Sequence, residues 1–151
     1  MINFTRTGSP LAPADLDEIE QRFGFKFPHV FREHYLSYNG GNPDKNRFVG
    51  ENGRYIVHDF LPIKGSPLGT LDTLETTIQC LKIDRQLIPT QLVPFAVDPG
   101  GDYYCFSLRP DEVGAIYLFR MERYLQPERA AEYLGGSLGE FLSKLRKKEE
   151  V

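Results

Sequence analysis

The chain has 151 residues, of which 40% are hydrophobic, 13% aromatic and 26% charged; this is enough apolar material for one core without staples, and too aromatic for disorder. Its formal net charge of −3 argues against nucleic acid as the main ligand, because phosphate contacts need a concentrated basic surface. Two cysteines, Cys80 and Cys105, are too few for a disulfide framework and read as free thiols of a reducing compartment. The N-terminus lacks the basic-then-apolar pattern of a signal peptide, and no run of about 18 apolar residues occurs. One domain over residues 1–151, cytoplasmic and without a membrane partner, is therefore the expectation.

The first helix is predicted over 13–23. Pro13 suits its first turn, Asp15, Asp17 and Glu18 lie near its positive end, and Leu16, Ile19 and Phe23 form an apolar stripe. Gly24 supplies a left-handed stop. Phe27 precedes a proline and reads as extended. Pro28 opens a second helix, whose Val30, Phe31, His34, Tyr35 and Tyr38 make a broad aromatic face and which Asn39-Gly40-Gly41 ends. Asn52-Gly53 between the runs 48–51 and 54–57 predicts a two-residue type I′ hairpin. A third helix is predicted over 71–82, capped by Thr70, with Leu71, Leu74, Ile78 and Leu81 as its stripe.

Three short strands follow, over 92–96, 103–108 and 115–119, with Pro94 marking an edge or a bulge in the first. Residues 122–136 match no pattern. Ser137 and Glu140 have the capping-box spacing, and Leu138, Phe141, Leu142 and Leu145 give a last helix its inner face. The basic run Lys144, Arg146, Lys147 and Lys148 then sits at the negative end of that helix. Consecutive strands with tight turns, and helices at both ends, predict an α+β domain. Its mainly antiparallel sheet would have about five to six strands, with helices packed against one face.

Residues with chemical potential are scattered. His29 and His34 do not share a helix face, and His34 lies among apolar neighbours. Cys80 and Cys105 read as packing residues, although a Cys–His pair can meet in space and stays open at this point. Asp98 and Asp102 bracket Pro99-Gly100-Gly101. Such carboxylates can bind calcium or act as acid and base, but the calcium-loop spacing is missing and turn chemistry explains them. Asp111 and Glu112 fall in the next turn and read as solvated. Asn39-Gly40-Gly41-Asn42 ends a helix, whereas phosphate cradles open one. The expectation is a protein with no cofactor, no metal and no catalytic set. Asp98, Asp102, Tyr103, Asp111 and Glu112 are its candidates for partner contact.

Four segments in order carry a resemblance: the acidic helix DLDEIEQRFGFKFP, the aromatic helix PHVFREHYLSYNGG, the strand–turn–strand LVPFAVDPGGDYYCFSL and the closing helix SLGEFLSKL. Over about residues 14–145 the chain resembles the SUKH superfamily, which includes bacterial immunity proteins of polymorphic toxin systems and a fungal regulator of cell-wall assembly. The family motif falls here on Pro28, Tyr35, Asn39, Gly40, Gly41, Gly100, Gly101 and Asp102. These read physically as determinants of the scaffold: a helix start, an aromatic core, a cap and a turn. The resemblance implies helices against one antiparallel sheet, and a protein partner that is frequently a toxin, often a nuclease. Two alternatives stay open: a regulatory interaction domain with another partner, and a small-molecule binder or enzyme built near Asp98, Asp102 and a histidine.

Overall fold

Local signals at both ends of the chain become helices. In the computed structural model, which describes residues 1–65 and 72–151, α1 (Pro13–Phe23) starts at its proline and ends at Gly24, whose φ is 72°. The Asp15 carboxylate accepts the Ala12 N–H at 2.8 Å and so closes the first turn. α2 (His29–Ser37) follows Pro28 and buries Phe31 and Tyr35. Val30, expected on its inner face, is 41% exposed. A carboxylate on α1 holds the two helices together: Glu20, 7% exposed, accepts the Phe27 N–H at 2.8 Å and meets Arg32 at 3.3 Å.

Among the described residues the strands form three sheets. β1 (Phe4–Thr5) pairs with β2 (Asn42–Pro43), and β3 (Arg47–Gly50) with β4 (Gly53–Ile56). The largest sheet joins β5 (Asp59–Phe60), β6 (Leu92–Val97), β7 (Tyr103–Ser107), β8 (Ile116–Phe119) and β9 (Ala131–Gly135), in that order and all antiparallel. The α+β class and the antiparallel sheet match the sequence expectation. Pro94 marks a bulge inside β6, not an edge, because β6 has a strand on either side.

The hairpin register differs from the expectation. Gly50 pairs with Gly53, so Glu51-Asn52 forms the turn instead of Asn52-Gly53, and neither turn residue has a positive φ. This register sets Phe48 opposite Tyr55, both buried, and stacks Phe48 on Phe141 with ring centroids 5.0 Å apart. Aromatic packing outweighs the turn preference of Asn-Gly.

The third helix also departs. Thr70 and Leu71 lie outside the described residues. The cap is Thr73, whose hydroxyl accepts the Thr76 N–H at 3.1 Å while the Thr76 hydroxyl accepts the Thr73 N–H at 2.9 Å. α3 (Leu74–Ile78) then widens into a π turn over Gln79–Asp84, with the Arg85 N–H donating to the Cys80 carbonyl at 2.9 Å. The wider turn breaks the 3.6-residue phase. Leu74 and Ile78 therefore join the main core with α1, α2, Tyr104, Phe106 and Leu118 on one face of the sheet, while Leu81 joins Ile88, Leu92, Cys105, Phe119 and Ala130 on the other. α1, α2, α3 and the last helix thus pack on one face, as expected, while a smaller apolar cluster, to which the π turn and one short helix contribute, covers the second. That second cluster includes Ala130 of α4 (Pro127–Ala130). α5 (Leu138–Ser143) begins at Ser137, whose hydroxyl accepts the Glu140 N–H at 3.1 Å.

Candidate functional site

The motif at the end of α2 is an internal staple. Asn39, 3% exposed, donates from its amide nitrogen to the Ser9 and Ile63 carbonyls, each at 2.9 Å, and accepts the Ile63 N–H at 2.7 Å. The Tyr35 hydroxyl donates to the Leu61 carbonyl at 2.9 Å, and burial pushes its pKa up. Gly41 has φ 102°, and a Cβ there would stand 2.5 Å from the Thr5 carbonyl oxygen. A Cβ on Gly40 would stand 2.7 Å from Pro62. The Pro28 carbonyl receives the first N–H groups of α2, from Phe31 at 2.9 Å and Arg32 at 3.2 Å. These five residues tie the N-terminal segment, α2 and residues 60–63 together beneath the sheet edge at β5.

The β6–β7 turn is built by Asp98. One carboxylate oxygen accepts the N–H groups of Gly100 and Asp102, at 2.9 and 2.8 Å. Asp102 faces the opposite way. It accepts the Met121 N–H at 2.9 Å and meets Arg120 at 3.4 Å. Tyr103 packs on the second cluster beside Cys105. In the next turn Asp111 is exposed, and Glu112 accepts the Tyr117 hydroxyl at 2.9 Å. Desolvation, with this bond second, pushes the Tyr117 pKa up to about 12.

The contact from Asp102 opens onto a network that sequence reasoning missed. Arg120 donates to Glu132 at 2.7 Å, and Glu132 also accepts the Tyr55 hydroxyl at 2.9 Å. Arg123 lies 3.9 Å from the same carboxylate. The hydrogen bond from Arg120 is the main reason that the Glu132 carboxyl sits below its ordinary range. The guanidinium thus joins the β6–β7 turn to β9, and Glu132 carries the link on to Tyr55 of the hairpin. Glu132 and Tyr133 lie in the stretch 122–136 that matches no pattern. A cleft of about 620 Å³ opens alongside, between β3, β9 and the end of α5, with Val49, Glu51, Tyr55, Glu132, Tyr133 and Lys144 in its walls.

The titratable groups outside this network lie apart. His29 pairs with Glu33 at 2.7 Å on the surface, and His58 lies 3.5 Å from Asp59. His34 packs edge-on against Phe4 with centroids 5.0 Å apart, and burial drives its pKa down to about 4. Lys82 donates to the Thr90 carbonyl at 2.9 Å, and burial lowers its pKa to about 8. Cys105 is fully buried, with its thiol pushed up by desolvation, whereas Cys80 is exposed. Among the described residues no three of His, Cys, Asp and Glu are grouped to hold a metal ion, and no helix is long and apolar enough to cross a membrane.

No curated protein matches the chain. The SMI1 / KNR4 family (SUKH-1) matches it over residues 10–144, from the approach to α1 to the end of α5. With most of its length matched, the protein belongs to the SMI1 / KNR4 family, SUKH-1.

Proposed function

We propose that this protein is a non-catalytic binding domain that neutralises a cognate toxin by direct contact. The observation that carries the reading is family membership over residues 10–144, since immunity proteins of polymorphic toxin systems belong to the superfamily. The geometry supports it in a second way. The motif side chains at Tyr35, Asn39 and Asp102 spend their hydrogen bonds inside the fold, so they act as scaffold for a preorganised outer surface. In this reading Asp98, Tyr103 and Glu112 frame that surface, and Asp111 is a rim charge that steers a basic partner. Binding then excludes the toxin from its substrate through buried aromatic anchors.

The test is co-expression with each candidate toxin domain found encoded beside its gene. Restored growth of the host cell, together with copurification as a stoichiometric complex, is the expected result. Continued killing by the toxin with no complex would overturn the toxin assignment. Copurification with a cell-wall assembly factor in its place would move the protein to the regulatory branch.

A further inference from the structure

The two edges of the five-stranded sheet end differently. At β5 the outer edge is closed. The Phe60 N–H donates to the Gly41 carbonyl at 2.8 Å, and the Gly41 N–H donates to the Phe60 carbonyl at 3.0 Å. β2 and β1 continue from there. At β9 no strand follows among the described residues. The Arg120 N–H donates to the Ala130 carbonyl at 2.8 Å, and this sets the phase of the β8–β9 ladder. Bonded and non-bonded pairs alternate along an antiparallel pair, so Glu132 is bonded to Leu118 and Tyr133 stands in a non-bonded pair with Tyr117. The N–H and C=O of Tyr133 therefore point out of the sheet. The Ala131 carbonyl points the same way, while its N–H is taken by the Pro127 carbonyl.

Across the cleft β3 shows the same pattern. The Val57 N–H donates to the Asn46 carbonyl at 2.9 Å, which by the same alternation turns Arg47 and Val49 away from β4. Arg47 is satisfied by Arg146, at 2.9 and 2.8 Å. Val49 has no such partner among the described residues. Proteins blunt open edges with proline, lysine or a covering element. β9 has neither proline nor lysine, and its single charge, Glu132, is turned to Arg120 and Tyr55. Tyr133 is 61% exposed and Val49 51%.

We propose that the β9 edge receives an extended segment of the partner protein as an added strand, seated in the cleft toward β3. Alternate side chains of that segment meet different surfaces. One set lies over the Tyr117–Tyr133 pair, whose rings meet edge-on with centroids 5.6 Å apart, and takes apolar or aromatic residues. The other set enters the cleft beside Tyr55, Glu132 and Lys144 and takes polar ones. Main-chain bonds supply affinity and these two surfaces supply selectivity. The inference rests on the protein-binding reading and names its docking mode.

Two experiments separate the inference from that reading. In the first, displayed random peptides about ten residues long, the length of a strand with flanks, are selected against the full chain. Selected peptides are then measured against Tyr133→Val and Tyr133→Pro. Valine keeps the outward N–H; proline removes it without touching the β8 ladder. The expected result is a dissociation constant about tenfold higher for the proline variant than for the valine one, the size of one lost backbone bond. In wild-type protein the Tyr133 amide should exchange more slowly once peptide is bound, which decides the matter even if the proline variant unfolds. No selected peptide, or peptides indifferent to the Tyr133 amide, would overturn the proposal. In the second, amide exchange is compared with and without the toxin domain encoded beside the gene. A complex that leaves Tyr133 unprotected sinks the added strand and leaves the binding reading intact. Peptide capture at β9 without any toxin complex keeps the strand site and removes the toxin.

Discussion

Gly41 and Gly100 belong to glycine-rich motifs that look alike in the sequence, yet their surroundings differ. A methyl at Gly41 would meet a backbone oxygen at 2.5 Å with φ at 102°, whereas one at Gly100 would meet only the Asp98 carboxylate, at 3.5 Å. Gly41→Ala should destabilise by about 3 kcal/mol, and Gly100→Ala should stay within about 0.5 kcal/mol, both read from urea unfolding. Asn39→Ala belongs with the first, because it leaves the Ile63 N–H without its side-chain acceptor; about 3 kcal/mol is expected. His34 sets a pH dependence. Burial holds its folded pKa at about 4, below the ordinary histidine value of 6.5, so the unfolded chain binds the extra proton first. The His34 contribution to stability is complete above pH 6.5 and is lost as pH drops from there toward 4. Urea midpoints measured across that window should decline in wild type and flatten in His34→Phe. The sequence placed His34 on an apolar face, which is why its burial was legible; the partners of Asn39 lie 24 and 30 residues away and were not.

Elements were legible where their signals are local. α1 carries its proline, acidic first turn and terminal glycine within one short stretch, and its bounds follow from them. α5 begins at Ser137, as the capping spacing implies, but the reciprocal half of the box is displaced: Glu140 accepts the Gly136 N–H at 3.0 Å, one residue before the cap. Ser137→Ala should therefore cost about 1 kcal/mol, measured as a lower thermal midpoint. The cap hydroxyl carries that contribution without a full box. Elements defined only by their partners were not legible. β1 and β2 have two residues each and exist through mutual pairing. β9 is fixed by β8 and by the Arg120–Glu132 pair, which spans twelve positions of sequence. The π turn after α3 left no signature in the hydrophobic period, since Leu81 fits both the helical stripe and the second cluster.

At the scale of the whole molecule, Arg120 is the point where separate sheets meet. Asp102 was legible as a turn residue, but its reach to Arg120 and Met121 was not, because a carboxylate in a glycine-rich turn has a local explanation that hides the distant one. Tyr55 is the hairpin's link to this network. Tyr55→Phe should cost about 1 kcal/mol and speed amide exchange over residues 47–56 more than in the five-stranded sheet. The same measurement in Gly100→Ala serves as the control. The two cysteines give the molecule a built-in clock. Cys80 stands in the open while Cys105 is shut between the strands and Leu81. A thiol-reactive dye should label the first within its mixing time and the second only as often as the sheet comes apart. The slow phase would count global openings one by one, in native buffer, without denaturant.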